Sequence, residues 1–205
     1  TSPNLWASGD MIDKLLERKV LPVDGETPFI HPQKMLIGDR LALLIFLRTT
    51  MDNLYTIEVK DEKGERFSYN FDLTTLKTKD VTAKPDSDFQ FDFILPKTGK
   101  RVKFRLMNGE DEKEIRVLQR KMAQENAMKV MTLEKLIVDV DKKKKKMLIS
   151  NFVKKMQIKD ANALIKYIDE VTPSMDLNIE VEHPKKPGMT IKQPLEFDIT
   201  FFLPS

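Results

Sequence analysis

His31 and His183 are the two imidazoles of a chain of 205 residues that contains no cysteine, so nucleophilic and metal chemistry start from a short list of groups. The lack of Cys excludes disulfides, thiolate zinc sites and Cys nucleophiles. His31 precedes a proline and His183 sits in a turn-like segment, neither with the Ser or Asp arrangement of a hydrolytic site, and both read as ordinary surface histidines. Gly99-Lys100 has part of a phosphate loop, but that loop needs Gly at position 94 and a Ser or Thr after the lysine, where the chain has Ile94 and Arg101. The acidic residues are spread too evenly to nominate a catalytic pair. The residues therefore predict no enzyme and no cofactor.

The strongest cluster of charge is the run Lys142, Lys143, Lys144, Lys145 and Lys146. Met147, Leu148, Phe152, Val153 and Met156 follow at helical spacing, which places the lysines in a first turn or the loop before it, where the helix macrodipole disfavours cations. The ordinary reading is a solvated lysine loop; the functional one is a patch for phosphate or an acidic partner. A nucleic-acid module would add Lys185 and Lys186, yet no aromatic interleaves with these lysines to stack bases, and nucleic acid is the weaker expectation.

Composition sets the frame for these groups. With 35 basic against 32 acidic residues the net charge is +3, so attraction to nucleic acid or anionic lipid would have to be local. Apolar residues make up 40%, enough for one large or two small cores. No run approaches the roughly 18 apolar residues of a membrane span, and TSPNLWASGD lacks a basic and apolar leader, so the sequence reads as cytosolic and soluble.

The elements that position these groups predict an α+β fold with three antiparallel hairpins and four or five helices. Phe89, Phe91 and Phe93 alternate with polar residues, as do Val102, Phe104 and Leu106, and Pro96-Lys97-Thr98-Gly99 supplies the reversal between two strands. Asn108 is a good N-cap for a helix over roughly 109 to 130, with Glu110, Asp111 and Glu112 in its first turn. Ahead of this centre, residues 1 to 34 form a short helix from Asp10 and a Pro-rich arm. Residues 35 to 75 hold a buried apolar helix capped by Asp39 and a hairpin turning at Asp61-Glu62-Lys63-Gly64, and residues 76 to 88 read as a linker. The centre occupies 89 to 140. Residues 141 to 205 supply a helix after the lysines, a last helix Ala161 to Val171 capped by Asp160, and a third hairpin. The order helix, Ile-Glu-Val strand, Gly turn, alternating strand occurs in both 35 to 75 and 159 to 199, which suggests a duplicated helix-plus-hairpin unit. Candidate partner contacts lie at the two ends: Leu5 and Trp6, and the unalternated run Phe201, Phe202 and Leu203.

The alternating strand, Lys-x-Gly turn, basic strand and acidic helix start of 89 to 115 together resemble a region of the T4-type phage baseplate hub and tail-assembly proteins. Gly38-Asp39-Arg40, Asn108-Gly109-Glu110-Asp111-Glu112, Tyr167-Ile168-Asp169-Glu170-Val171 and Phe201-Phe202-Leu203-Pro204 match in the same order, over most of residues 35 to 205. The resemblance implies a virion or assembly protein of a contractile tail, present in the tail baseplate and in the host cytoplasm during assembly. Its partners would be other tail and baseplate proteins. In the proteins it resembles, the outer hairpins turn through Cys-Pro-x-Cys-Gly knuckles that form a zinc ribbon. Here Asp61 to Gly64 and His183 to Gly188 stand at those turns without a thiolate, so the chain is expected to work without metal. Phe67, Tyr69, Phe71, Ile191, Leu195 and Phe197 would then hold the outer hairpins together by apolar packing.

Overall fold

The computed structural model describes residues 10–20, 31–119, 125–197 and 201. Leu5, Trp6, Phe202 and Leu203 lie outside these residues. The chain is a mixture of helix and small antiparallel sheets: α1 (Asp10–Lys19), α2 (Ile37–Thr49), β1 (Leu54–Lys60), β2 (Arg66–Asp72), β3 (Gln90–Ile94), β4 (Arg101–Arg105), α3 (Gly109–Gln119), α4 (Glu125–Leu136), β5 (Ile137–Val140), α5 (Lys146–Lys154), α6 (Ile158–Val171), β6 (Asn178–Glu182) and β7 (Thr190–Pro194). It divides into two units whose segments alternate along the chain. Unit 1 comprises Thr1–Leu16, Gly38–Lys79 and Pro173–Ser205; unit 2 comprises Glu17–Ile37 and Asp80–Thr172.

Unit 1 is built on α2 and two hairpins, β1-β2 and β6-β7, each a two-stranded antiparallel sheet. In β1 the inward residues are Tyr55, Ile57 and Val59, and in β6 they are Ile179 and Val181, the strict alternation that one covered face imposes on a strand. They join Ile45, Phe71, Leu73, Leu195 and Phe201 in one core, with Phe67, Tyr69, Ile191 and Phe197 packed at its edge. The outer hairpins thus share apolar cover, with Phe71 and Leu195 fully inside and the other four expected residues half-buried. Gly64 and Gly188 take φ of +82° and +79° at the two turns, a backbone region in which a Cβ is strained.

Helix α2 is not apolar on nearly every side. Arg40 and Arg48 are buried while Phe46 faces out, and Asp39 lies inside the first turn instead of capping it, because the helix begins at Ile37. Segment 76 to 88 is tied down at its start: Thr78 bridges Met175, Lys79 N–H donates to the Ser174 carbonyl, and Asp176 N–H donates to that of Lys77.

Unit 2 surrounds a three-stranded sheet of order β3-β4-β5. The hairpin closes as expected, with Gly99 at φ +68° and its N–H donated to the Leu95 carbonyl. The third strand, β5, pairs with β4 through Val102, Lys103 and Phe104. Four residues are too few to carry a period of their own, which is why MTLEKLIVDVD shows no strand in the sequence. Phe91, Val102, Phe104, Leu133, Ile137, Ile149, Val153 and Leu164 fill the core of this unit. The region expected as one helix over 109 to 130 contains two, α3 and α4, with residues 120–124 between them not described. Helix α6, the counterpart of α2 in the suggested duplication, packs into the unit 2 core, so the two helix-plus-hairpin segments are not equivalent.

Asn108 caps α3 reciprocally: its Oδ1 accepts the Asp111 N–H at 3.0 Å, and Asp111 Oδ2 accepts the Asn108 N–H at 3.1 Å. Arg105 then grips the same carboxylate through both terminal nitrogens, at 2.6 and 2.8 Å. Asp160 does not cap α6, whose N-cap is Gln157. It is fully buried in the first turn and accepts the Lys97 N–H at 2.6 Å and the Thr98 hydroxyl at 2.8 Å, so it fastens the β3-β4 turn to the helix.

Candidate functional site

The tips of the two unit 1 hairpins bring together the residues that the sequence leaves 122 positions apart, Asp61 and His183. The first turn forms around the Asp61 carboxylate: its Oδ1 accepts the N–H groups of Lys63 at 2.9 Å and Glu65 at 2.8 Å, while Gly64 N–H donates to the Asp61 carbonyl. This is the local side-chain turn that Asp favours. The second turn is closed by His183 N–H donating to the Met189 carbonyl and by Lys185 N–H donating to His183 Nδ1 at 3.1 Å. Because Nδ1 accepts, the ring proton lies on Nε2, which faces Asp61 Oδ2 at 3.4 Å.

Charge surrounds this contact. Lys186 Nζ stands 3.6 Å from Asp61 Oδ2, and Lys185 pairs with Glu65. The Phe67 ring covers His183 at 5.5 Å between centroids. The Glu65 N–H is the largest influence holding the Asp61 carboxyl below the usual carboxylate range; burial pushes the other way, and His183, the Lys63 N–H and Lys186 reinforce the lowering. His183, expected at the surface, is 3% exposed. The correction has a cause: with its ring inserted between two turns, both nitrogens find protein partners and burial costs no hydrogen bond.

This set does not fit the zinc that the family resemblance implies. Asp61 and the Gly64 three residues on, with His183 and the Lys186 three residues on, provide one carboxylate, no side chain, one imidazole and an ammonium. Both imidazole nitrogens and both Asp61 oxygens face protein groups. Among the described residues no group of three or more His, Asp or Glu side chains is placed to hold a metal ion. What the arrangement does is join two hairpins by charge and hydrogen bonding around a shared apolar core.

The remaining predicted site residues fall in different places. Phe201 is 2% exposed and stacks edge-on against Tyr55 at 5.2 Å, so it belongs to the unit 1 core and offers no surface to a partner. Its backbone carbonyl accepts from Arg48 Nε at 2.6 Å. Lys142 to Lys146 are all exposed; Lys145 is the N-cap of α5 and Lys146 its first residue, with no side-chain hydrogen bond capping the helix. His31 is exposed, with Nδ1 accepting the Gln33 N–H at 3.3 Å. Among the described residues no helix is long and apolar enough to cross a membrane.

Arg48 is a buried cation of unit 1 whose acceptors periodicity does not report. Arg40, Leu44 and Arg48 recur every four residues on one stripe of α2, and an arginine in an apolar stripe signals a buried cation in need of acceptors. No signal of comparable kind pairs Asp61 with His183. No family model, no curated protein and no solved structure matches the chain.

The carboxylates make an acid-stability prediction. Asp61, Asp72, Asp86 and Asp92 are held below the usual range chiefly by hydrogen bonds, from the Glu65 N–H, Thr74, Lys103 and Arg101 respectively. For Asp111 burial is the largest influence and raises its pKa, but the Arg105 and Asn108 bonds and nearby cations outweigh it and the net direction is down. Groups with depressed folded pKa values stabilise fully above the unfolded value, about 4 for Asp, and lose that contribution as pH falls through the folded values. Asp39, raised by burial, acts in the opposite sense. Thermal melting followed from pH 7 downward is expected to change little on account of these aspartates until about pH 4, and to fall steeply below it. A melting temperature that holds level to pH 2 would contradict the assignment.

Proposed function

We propose that the chain is a structural or assembly protein of a contractile phage tail baseplate, in the hub region, acting through contacts with sibling proteins. The observation that carries a contact role is the outward display of large apolar side chains on folded elements. In unit 2, Phe89 is 79% exposed, Ile94 67%, Met147 71% and Ile158 77%. Phe46 and Met51 do the same in unit 1. One such residue is ordinary; Ile94 on β3, Met147 on α5, Ile158 on α6 and Phe46 on α2, with Phe89 and Met51 in the turns beside β3 and α2, supply the apolar anchors that protein interfaces use. The ordered segments resembling baseplate hub proteins supply the phage context, and the Asp61–His183 join supports a scaffold held without chemistry at its turns.

Affinity purification from infected cells tests the reading. Recovery with tail or baseplate proteins, stable to moderate salt, is the expected result. A complex with DNA or RNA that dissolves as salt rises, without tail proteins, would replace it with the nucleic-acid reading of Lys142 to Lys146.

A further inference from the structure

In unit 2 a cleft of about 390 Å³ lies among the β3-β4 turn, the end of β5, α5 and the start of α6. Its apolar lining is Val140, Leu148, Ile149, Phe152 and Met156, and three lysines, Lys100, Lys143 and Lys155, also line it. The cleft has the volume of a small ligand site and an apolar floor able to take one large side chain. Two acids, Asp141 and Asp160, are part of the lining, but both are committed to the fold: Asp141 Oδ1 accepts the Arg101 N–H, and Asp160 holds the β3-β4 turn. Among the described residues no carboxylate pairs with Lys100, Lys143 or Lys155; Lys100 rests instead 5.0 Å above the centre of the Phe152 ring. Lys143 belongs to the five-lysine run, and the other four lysines of the run are exposed beside it at a helix start where cations are disfavoured. With Asp141 and Asp160 set against Lys100, Lys143 and Lys155 the lining itself is only slightly cationic, and the surplus of positive charge comes from the four other lysines of the run exposed beside the apolar cleft. Its complement is an anion with an apolar anchor.

We propose that this cleft binds an acidic segment of a partner protein, seating one large apolar side chain on Phe152 and Met156 while flanking carboxylates meet Lys100, Lys143 and Lys155. The proposal deepens the protein-contact reading and rests on it. Nucleic acid suits the site less well, because Phe152 is a single half-buried ring and successive bases need successive stacking faces.

The test is fluorescence anisotropy on the full chain with a short dye-labelled peptide in which one phenylalanine is flanked on both sides by aspartates. Saturable binding that weakens with salt is expected, with an all-aspartate peptide of equal length binding at least about tenfold more weakly, the equivalent of about 1.4 kcal/mol. The double variant Lys143→Glu, Lys155→Glu should lose about tenfold or more of the affinity while melting at the wild-type temperature, since both side chains are exposed. Absence of binding, equal affinity for the two peptides, an unchanged affinity in the variant, or tighter binding to a single-stranded oligonucleotide of equal charge would each overturn the proposal. Running the same variant through the purification from infected cells separates the two readings. Tail proteins recovered equally by both forms would sink the cleft and leave the baseplate role standing. Specific peptide binding without tail proteins would do the reverse.

Discussion

Replacing Gly38 by valine is expected to cost on the order of 3 kcal/mol or more, enough to remove much of the stability of a domain that has roughly 5 to 15 kcal/mol in total. A Cβ built at Gly38 would stand 1.7 Å from the Pro173 carbonyl oxygen and 2.7 Å from its carbon. Both atoms are backbone, so no rotamer change relieves the clash; the start of α2 or the strand of chain at 173 and 174 must move. The close approach also accounts for a glycine inside a helix, where it is otherwise unfavourable by about 1 kcal/mol against alanine. Even Gly38→Ala should lower the melting temperature sharply, as read by circular dichroism. Gly188→Ala is the control: its φ is +79° but nothing lies within 4 Å of the added Cβ, so only backbone strain of about 1 to 2 kcal/mol is expected. If the two alanine variants melt alike, the contact at Gly38 is not the constraint described.

Arg48→Met should destabilise unit 1 by about 3 to 5 kcal/mol, and Arg48→Lys should recover little of it. The guanidinium is 3% exposed and donates to three backbone carbonyls: from Nε to Phe201 at 2.6 Å, from Nη2 to Leu54 at 2.8 Å, and from Nη1 to Asp52. Asp52 also offers it a carboxylate at 3.6 Å. Methionine fills the volume but removes the buried donor to the Phe201 carbonyl and the two part-buried ones to Asp52 and Leu54, and a buried polar group that loses its partner costs about 1 to 3 kcal/mol. A lysine ammonium is a point donor that cannot span three acceptors set by a planar fork. Chemical denaturation of the wild type and both variants decides this. The assignment fails if the methionine form is as stable as wild type, or if lysine restores stability in full.

The two arginines also show how far a sequence pattern can be pushed. The stripe Arg40, Leu44, Arg48 is visible in the sequence, since helical spacing is a local property, and it shows that both cations lie on the face that Leu44 buries. The acceptors that make Arg48 tolerable there are 153 residues away at Phe201 as well as close by, and no spacing rule reports them. Asp160 illustrates the same divide. Its type and position before an apolar helical run predict a cap, but the helix begins two residues earlier, and the side chain is taken by the β3-β4 turn 62 and 63 positions upstream.

The sequence by itself determined the local periods: the alternation of β1, β2, β3, β4 and β6, although Phe89 falls outside β3 and is exposed, the reversals at Gly64, Gly99 and Gly188, and the cap at Asn108. Each follows from sterics and hydrogen bonding within a few residues, where composition and geometry are tightly linked. Tertiary structure alone decided which hairpins share a core, that β5 completes the central sheet, that Phe201 is core, and that His183 leaves solvent to meet Asp61. It also decided that the chain alternates between two units instead of folding in consecutive blocks. Pairing across a hundred or more residues is selected by the sum of buried area and satisfied polar groups over whole faces, and a sum over distant partners leaves no period in the chain that either partner carries.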